Sequence, residues 1–330
     1  MHRRPGFTNL RNLPSPMNNT HKSNQERPWW KKYVVELTAA LSGLVAMNLI
    51  FIAETFHTGS KVQATAAGQL GDFVGGYVGT AFLLLSVVLL YSTLRNQREV
   101  AQRQFFESRF FELIKLHRDN VSEMQLQGTE GRRVFIKLLL ELRAIAEILK
   151  DVAQNQKQTL EPRQALQISY YCLFFGAGAD SSRMLRSALS RFNPSLVNDL
   201  DRQLCDQAVR DRVRQDNKLG YTPFEGHQSR LGHYYRHLYQ SVRYADTQSI
   251  DLNKYDYVKT LRAQLTTHEQ VLLLINSLTP IGNDWWKHDL ILRYRMVQNI
   301  PRYFLDPTSE VDTSTLFPKG YFEWEEADAT

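Results

Sequence analysis

Residues Phe73–Leu94 form a run of 22 residues without a single charge, FVGGYVGTAFLLLSVVLLYSTL, in a chain of 330. A bilayer core is crossed by about 20 helical residues, so this run is long enough to span one. Runs of this length without charge are rare in water-soluble folds. Gly75, Gly76, Gly79 and Thr80 gather toward its first end, where small side chains let helix backbones approach closely. Leu83–Leu90 is almost continuously apolar, as a lipid-facing segment requires.

A second stretch, Tyr33–Ala53, has 21 residues and carries Glu36 and Asn48. Glu36 lies one turn from Lys32 and fits the membrane interface. Asn48 needs a polar partner, most simply on the other helix. The spacing therefore predicts a two-span hairpin over residues 33–94, with helix packing at Asn48, Gly75, Gly76 and Gly79. The apolar run at Tyr33 starts too late and runs too long for a cleaved signal peptide. Mean hydropathy over the chain is −0.39, which excludes a polytopic membrane protein.

Charge placement gives an orientation. Residues 1–32 hold seven Lys/Arg against Glu26, an excess equal to the net charge of the whole chain, +6. The remainder is balanced, so its charge gives no support to nucleic-acid binding. The Pro- and Asn-containing arm, 1–32, reads as a disordered basic segment. The loop Glu54–Asp72 has one base, Lys61, whereas Arg95, Arg98, Arg103 and Arg109 follow the second span. Positive flanks stay inside, which predicts both termini in the cytoplasm and a short external loop.

Residues 95–320 read as a mostly helical domain, and the fold class as all-α. The whole chain carries 17 Phe, 15 Tyr and 5 Trp, enough aromatic side chains to build a core. Helices are expected over Arg95–Met124, Gly131–Asn155, Pro162–Phe175, Ser181–Arg191 and from Pro194 through Ala208. Further helices are expected over Arg230–Asp246, Tyr255–Leu265, Thr267–Leu278 and Trp285–Asn299. Thr266 and Glu269 have capping-box spacing. Tyr321–Thr330, with four acids and no base, reads as an irregular tail. Cys172 and Cys205 are the two cysteines, too few for a disulfide scaffold, and no Cys/His cluster has zinc-site spacing. Nothing in the sequence calls for a cofactor or a metal.

The stretch richest in chemical groups is Arg230-Leu-Gly-His-Tyr-Tyr-Arg-His-Leu-Tyr. His233 and His237 are four apart and share a helix face with Arg230 one turn before. Arg236 lies beside His237. Three readings stay open for Arg230, His233, Arg236 and His237. Two histidines at this spacing can hold a metal, but no acidic third ligand is near. His can act as acid and base on RNA while Arg steadies a phosphate, and the Arg230–His237 spacing resembles the loose motif of HEPN ribonucleases. In the third reading Tyr and Leu pack inward while His and Arg bond to neighbouring loops. Whether the chain is an enzyme is left open. His117-Arg118-Asp119-Asn120 lacks every companion motif of a kinase and reads as a helix surface.

Four segments in order resemble phage abortive infection proteins of the AbiC-like family. They are Gly71-Asp72-Phe73-Val74-Gly75-Gly76; Gln104–Leu113 followed by His117; Gly232–Tyr239; and Leu261–Leu265 followed by Glu269–Leu278. The resemblance covers about residues 65–300. It departs from the family pattern at Gly79-Thr80, where an Asn-Pro-like step is expected. What the resemblance implies is a bacterial inner-membrane protein that stops phage propagation at the infected cell's expense. Its expected partners are the lipid bilayer, further copies of itself and an unidentified phage trigger. An effector acting on the membrane, a tethered ribonuclease and a phage-sensing scaffold are the readings compatible with it.

Overall fold

The computed structural model describes residues 64–178, 182–305 and 316–327, with scattered positions between 38 and 62. The chain divides into two units, Met1–Thr93 and Leu94–Thr330, with the boundary inside one helix.

In the first unit a two-residue hairpin, β1 (His57–Thr58) and β2 (Lys61–Val62), precedes helix α1 (Ala64–Phe73). The helix thus starts at Ala64, within a segment the sequence suggested was loop. Its Ala-Thr-Ala-Ala opening favours helix. A π-helical turn, Val74–Val78, joins it to α2 (Gly79–Ser122). This widened turn falls at the glycines, beside the step where the chain departs from the family pattern. Thr80 Oγ1 donates back to the Gly76 carbonyl there. The described residues hold one helix long and apolar enough to cross a membrane, and its apolar part is wholly exposed. The expected two-span hairpin is therefore seen only as this one helix. Most of the first span, Asn48 included, lies outside the described residues.

The second unit is helical throughout its core. α2 enters it with Phe106, Phe110, Ile114, His117 and Val121 buried at three- and four-residue steps. A hairpin of β3 (Gln125–Leu126) and β4 (Thr129–Glu130) then leads into α3 (Arg133–Asn155). α3 buries Val134, Phe135, Leu138, Leu142, Ile145 and Leu149 on one face. α4 (Pro162–Phe175), with Pro162 in its first turn, packs most closely on α3. α5 (Ser182–Leu189) and α6 (Pro194–Cys205) cover this pair. The Asn193 side chain caps α6 by accepting from the Ser195 amide at 2.9 Å.

The chain breaks at Asp206, which sets a new cap on the Ala208 amide at 2.8 Å and starts α7 (Gln207–Asp216). The sequence suggested one helix through Ala208, and Asp206 is the cap that divides it. α8 (Gln228–Asp246) and α9 (Lys254–Arg262) follow. α10 (Thr267–Ser277) opens with the expected capping box, Glu269 Oε2 accepting from the Thr266 amide at 2.7 Å.

The expected helix over 285–299 is broken. α11 (Asp284–Lys287) and α12 (Leu290–Arg293) are single turns separated by Asp289 at φ 57°. Trp285, Leu290, Ile291, Met296, Val297 and Ile300 are all buried. Their steps do not fit one helix face, so the backbone turns at Asp289 and again at Arg295, φ 48°. Arg262 Nη1 closes the second turn by donating to the carbonyls of Tyr294 and Arg295. α13 (Arg302–Leu305) and α14 (Glu323–Ala327) complete the described elements. The segment read as an irregular acidic tail begins inside the core. Tyr321 and Phe322 are buried, and Tyr321 donates to the Ile291 carbonyl at 2.8 Å. Two large aromatic side chains outweigh the polarity of the acids that follow.

Candidate functional site

α8 sends its polar side chains in different directions. Leu231, Tyr234, Tyr235, Leu238 and Val242 form the buried face. Arg230 Nε donates to the Gln125 carbonyl at 2.9 Å and so holds the β3–β4 hairpin. His233 is exposed and lines, with Arg230 and Asn120, a cleft of about 380 Å³. Arg236 is exposed in another cleft of about 590 Å³, together with Phe175 and Trp285. His237 turns inward. The structure therefore brings His233 and Arg230 to one groove and separates them from Arg236.

The partner of His237 comes from α2. The His117 and His237 rings lie 6.2 Å apart, inclined by 21°, and His117 is 5.3 Å from Tyr234. His117 is only 1% exposed, so the reading of this stretch as helix surface does not hold for it. It sits one turn after Ile114 and one before Val121, on the buried stripe of α2. No ring nitrogen of His117 or His237 finds a hydrogen-bond partner among the described residues. Burial, with nearby His237 and then Arg132, pushes His117 down to about 4. Burial, and then His233, also lowers His237. Both are neutral imidazoles at physiological pH, each with one N–H and one lone pair unused.

His117 lines a cleft of about 1030 Å³, with Arg118 beside it. Arg132, Arg133 and Lys137, from the start of α3, line its other wall, and Gln264 its edge. Among the described residues no three His, Cys, Asp or Glu side chains gather closely enough for a metal ion.

A second polar cluster fixes the approach to α8. Glu141, fully buried on α3, accepts from Tyr221 Oη at 2.6 Å and the Phe224 amide at 2.7 Å, and pairs with His227 Nε2 at 2.9 Å. Burial and the adjacent Glu141 carboxylate raise Tyr221 far above the ordinary phenol range, so it stays a donor. Gly176 (φ 83°) and Gly226 (φ 88°) let this loop lie directly on the end of α4. A Cβ on Gly176 would stand 2.4 Å from the Glu225 carbonyl carbon, and one on Gly226 2.4 Å from the Phe175 carbonyl oxygen. The sequence signal for Glu141 is an acid set between Leu138 and Leu142 on an otherwise apolar face. That signal is visible in the sequence, although its partners are not.

The glycines of the apolar helix stand open. Nothing among the described residues lies within 4 Å of a Cβ built at Gly75 or Gly76, and Gly79 would meet only the Val74 carbonyl, at 3.6 Å.

No curated protein and no solved structure matches the chain. A family model described as "Putative phage abortive infection protein" matches residues 226–305. Two of the four resembling segments, Gly232–Tyr239 and Leu261–Leu278, lie within it. The segments at Gly71–Gly76 and Gln104–His117 lie before it. From the end of the Glu141-anchored loop through α8, the capping box of α10 and α13, this stretch of the chain is similar to the family of putative phage abortive infection proteins.

Proposed function

We propose that this protein is a membrane-anchored effector of bacterial abortive infection. Residues 33–94 form a two-span anchor in the inner membrane with both termini in the cytoplasm. A phage trigger acts on the helical domain, and the anchors respond by assembling or by perturbing the bilayer. The observation that carries this reading is a charge-free stretch of helix with none of its apolar window buried, in the same chain as the stretch similar to the family. Leu83, Leu84, Leu85, Val87 and Val88 are all exposed, which in water is unfavourable by the apolar area left uncovered. Lipid removes that cost. The tethered-ribonuclease reading finds less support, because Arg230 Nε is engaged by the Gln125 carbonyl and Arg236 lies in a different cleft from Arg230 and His233.

The test is a phage plating assay of the full chain carrying Leu84→Arg and Val88→Arg, beside the Leu84→Ala and Val88→Ala control. Each arginine near a bilayer centre costs about 2.5–3.5 kcal/mol of insertion. Expected is loss of the protein from the membrane fraction together with loss of protection, while the alanine control protects. Full protection by the arginine variant recovered in the soluble fraction would refute membrane action.

A further inference from the structure

The first turn of α3 carries charges that oppose its own dipole. Arg132 stands at the cap position and Arg133 at the first helical position, no side chain caps the turn, and it contains no acid. A helix N-terminus is positive and favours an anion, so two arginines there repel it and each other. Arg132 offsets this in part by donating to the Gln264 carbonyl at 3.0 Å. Lys137, one turn on, donates to the carbonyls of Asn217 and Lys218. Arg133, and Arg118 from α2, have no hydrogen bond or ion pair among the described residues.

These four cations line the cleft of about 1030 Å³ described above. Asp119 and Glu130 line it too, leaving the cations in excess. A separate observation comes from His117, which lines the same cleft, is 1% exposed and has both ring nitrogens unpartnered. A buried polar group without a partner is costly and calls for one. An anion bound in the cleft would meet both.

We propose that this cleft binds the phosphate groups of a soluble small molecule of nucleotide size, held by Arg118 and Arg133 at the N-terminus of α3, with His117 donating a hydrogen bond. Guanidinium groups bind phosphate oxygens in a two-pronged geometry, and the positive end of the α3 dipole adds to their attraction. The cleft is far larger than inorganic phosphate needs and falls at the upper end of small-molecule sites, about 300–1,000 Å³. Apart from the His117 imidazole, its described lining has no aromatic side chain on which a base could stack. The phosphates therefore dominate recognition and the base contributes little. This site stands on the geometry of the helical domain and does not depend on membrane action.

The test measures anisotropy of a fluorescent ATP analogue added to the full chain in neutral detergent micelles at fixed ionic strength. Saturable binding is expected, with displacement by ATP, GTP and tripolyphosphate to similar extents. The double variant Arg118→Ala/Arg133→Ala should bind at least about tenfold more weakly, at an unchanged unfolding temperature. Absence of saturable binding, or equal binding by the double variant, would overturn the proposal. Displacement by phosphatidylglycerol in the micelles but not by tripolyphosphate would overturn it in favour of a lipid headgroup. A short single-stranded RNA that binds and resists tripolyphosphate would overturn it in favour of a polymer.

Discussion

His117 is a buried imidazole without hydrogen-bond partners, and its protonation is tied to folding. Tyr234 and His237 on α8 and Arg132 before α3 are the polar and charged groups that face it. None of them stabilises a proton on the ring. In the folded chain His117 titrates near 4, below the ordinary imidazole value of 6.5. As pH falls, the unfolded chain therefore takes up the proton first. The stability linked to this residue is fully present above about pH 6.5 and is lost as pH falls toward 4, on the order of 3 kcal/mol across the window. The lowered His237 contributes with the same sign. Chemical unfolding of the full chain in micelles between pH 7.5 and 4.5 should show a steeper loss for wild type than for His117→Gln. Parallel curves would show that His117 does not titrate in this way. Much of this residue's placement was legible, since His117 lies in step with Ile114 and Val121. Its apposition to His237, 120 positions later in the sequence, was not, because only the packing of α8 on α2 creates it.

Among the elements, those with local signals agree best with the sequence. Pro162 starts α4, Asn193 caps α6, and Thr266 with Glu269 builds the box on α10. Each signal acts within three residues, so no distant contact is needed to decide it. The segment 284–300 departs because burial of Trp285, Leu290 and Met296 overrides continuous helix hydrogen bonding. In the apolar helix, Gly75 and Gly76 present a smooth face on the π-helical turn, with nothing described within 4 Å. A helix meeting this face would be excluded by a large side chain. Gly75→Leu is accordingly expected to weaken hairpin packing or self-association by about 1–2 kcal/mol. Cross-linking in native membranes is the measurement, and an unchanged yield of oligomer would mean that this face meets lipid alone.

At the scale of the whole molecule, seven basic residues before Tyr33 against one between the apolar stretches set an orientation for insertion. Reporter fusions at Ser60 and at Thr330 are expected to read outside and inside, respectively. A C-terminal reporter outside the cell would reverse the orientation and place the helical domain, with its basic cleft, away from cytoplasmic nucleotides. Charge along the chain is informative here because translocation acts on linear sequence.

The mostly helical class, the charge-free span-length run and the local caps are all legible in the order of the residues. That order also carried the family resemblance, which the match over residues 226–305 supports. All of these depend on period, length or neighbouring residues. Tertiary structure alone decided which polar side chains meet. It separated Arg236 from Arg230, placed His237 against His117, and gathered Tyr221, Phe224 and His227 around Glu141. It also drew Arg118 and Arg133 to one cleft and pulled Tyr321 and Phe322 into the core. The physical reason is common to these cases. A buried polar group must find its partner in space, and neither that partner nor the burial itself is fixed by sequence spacing.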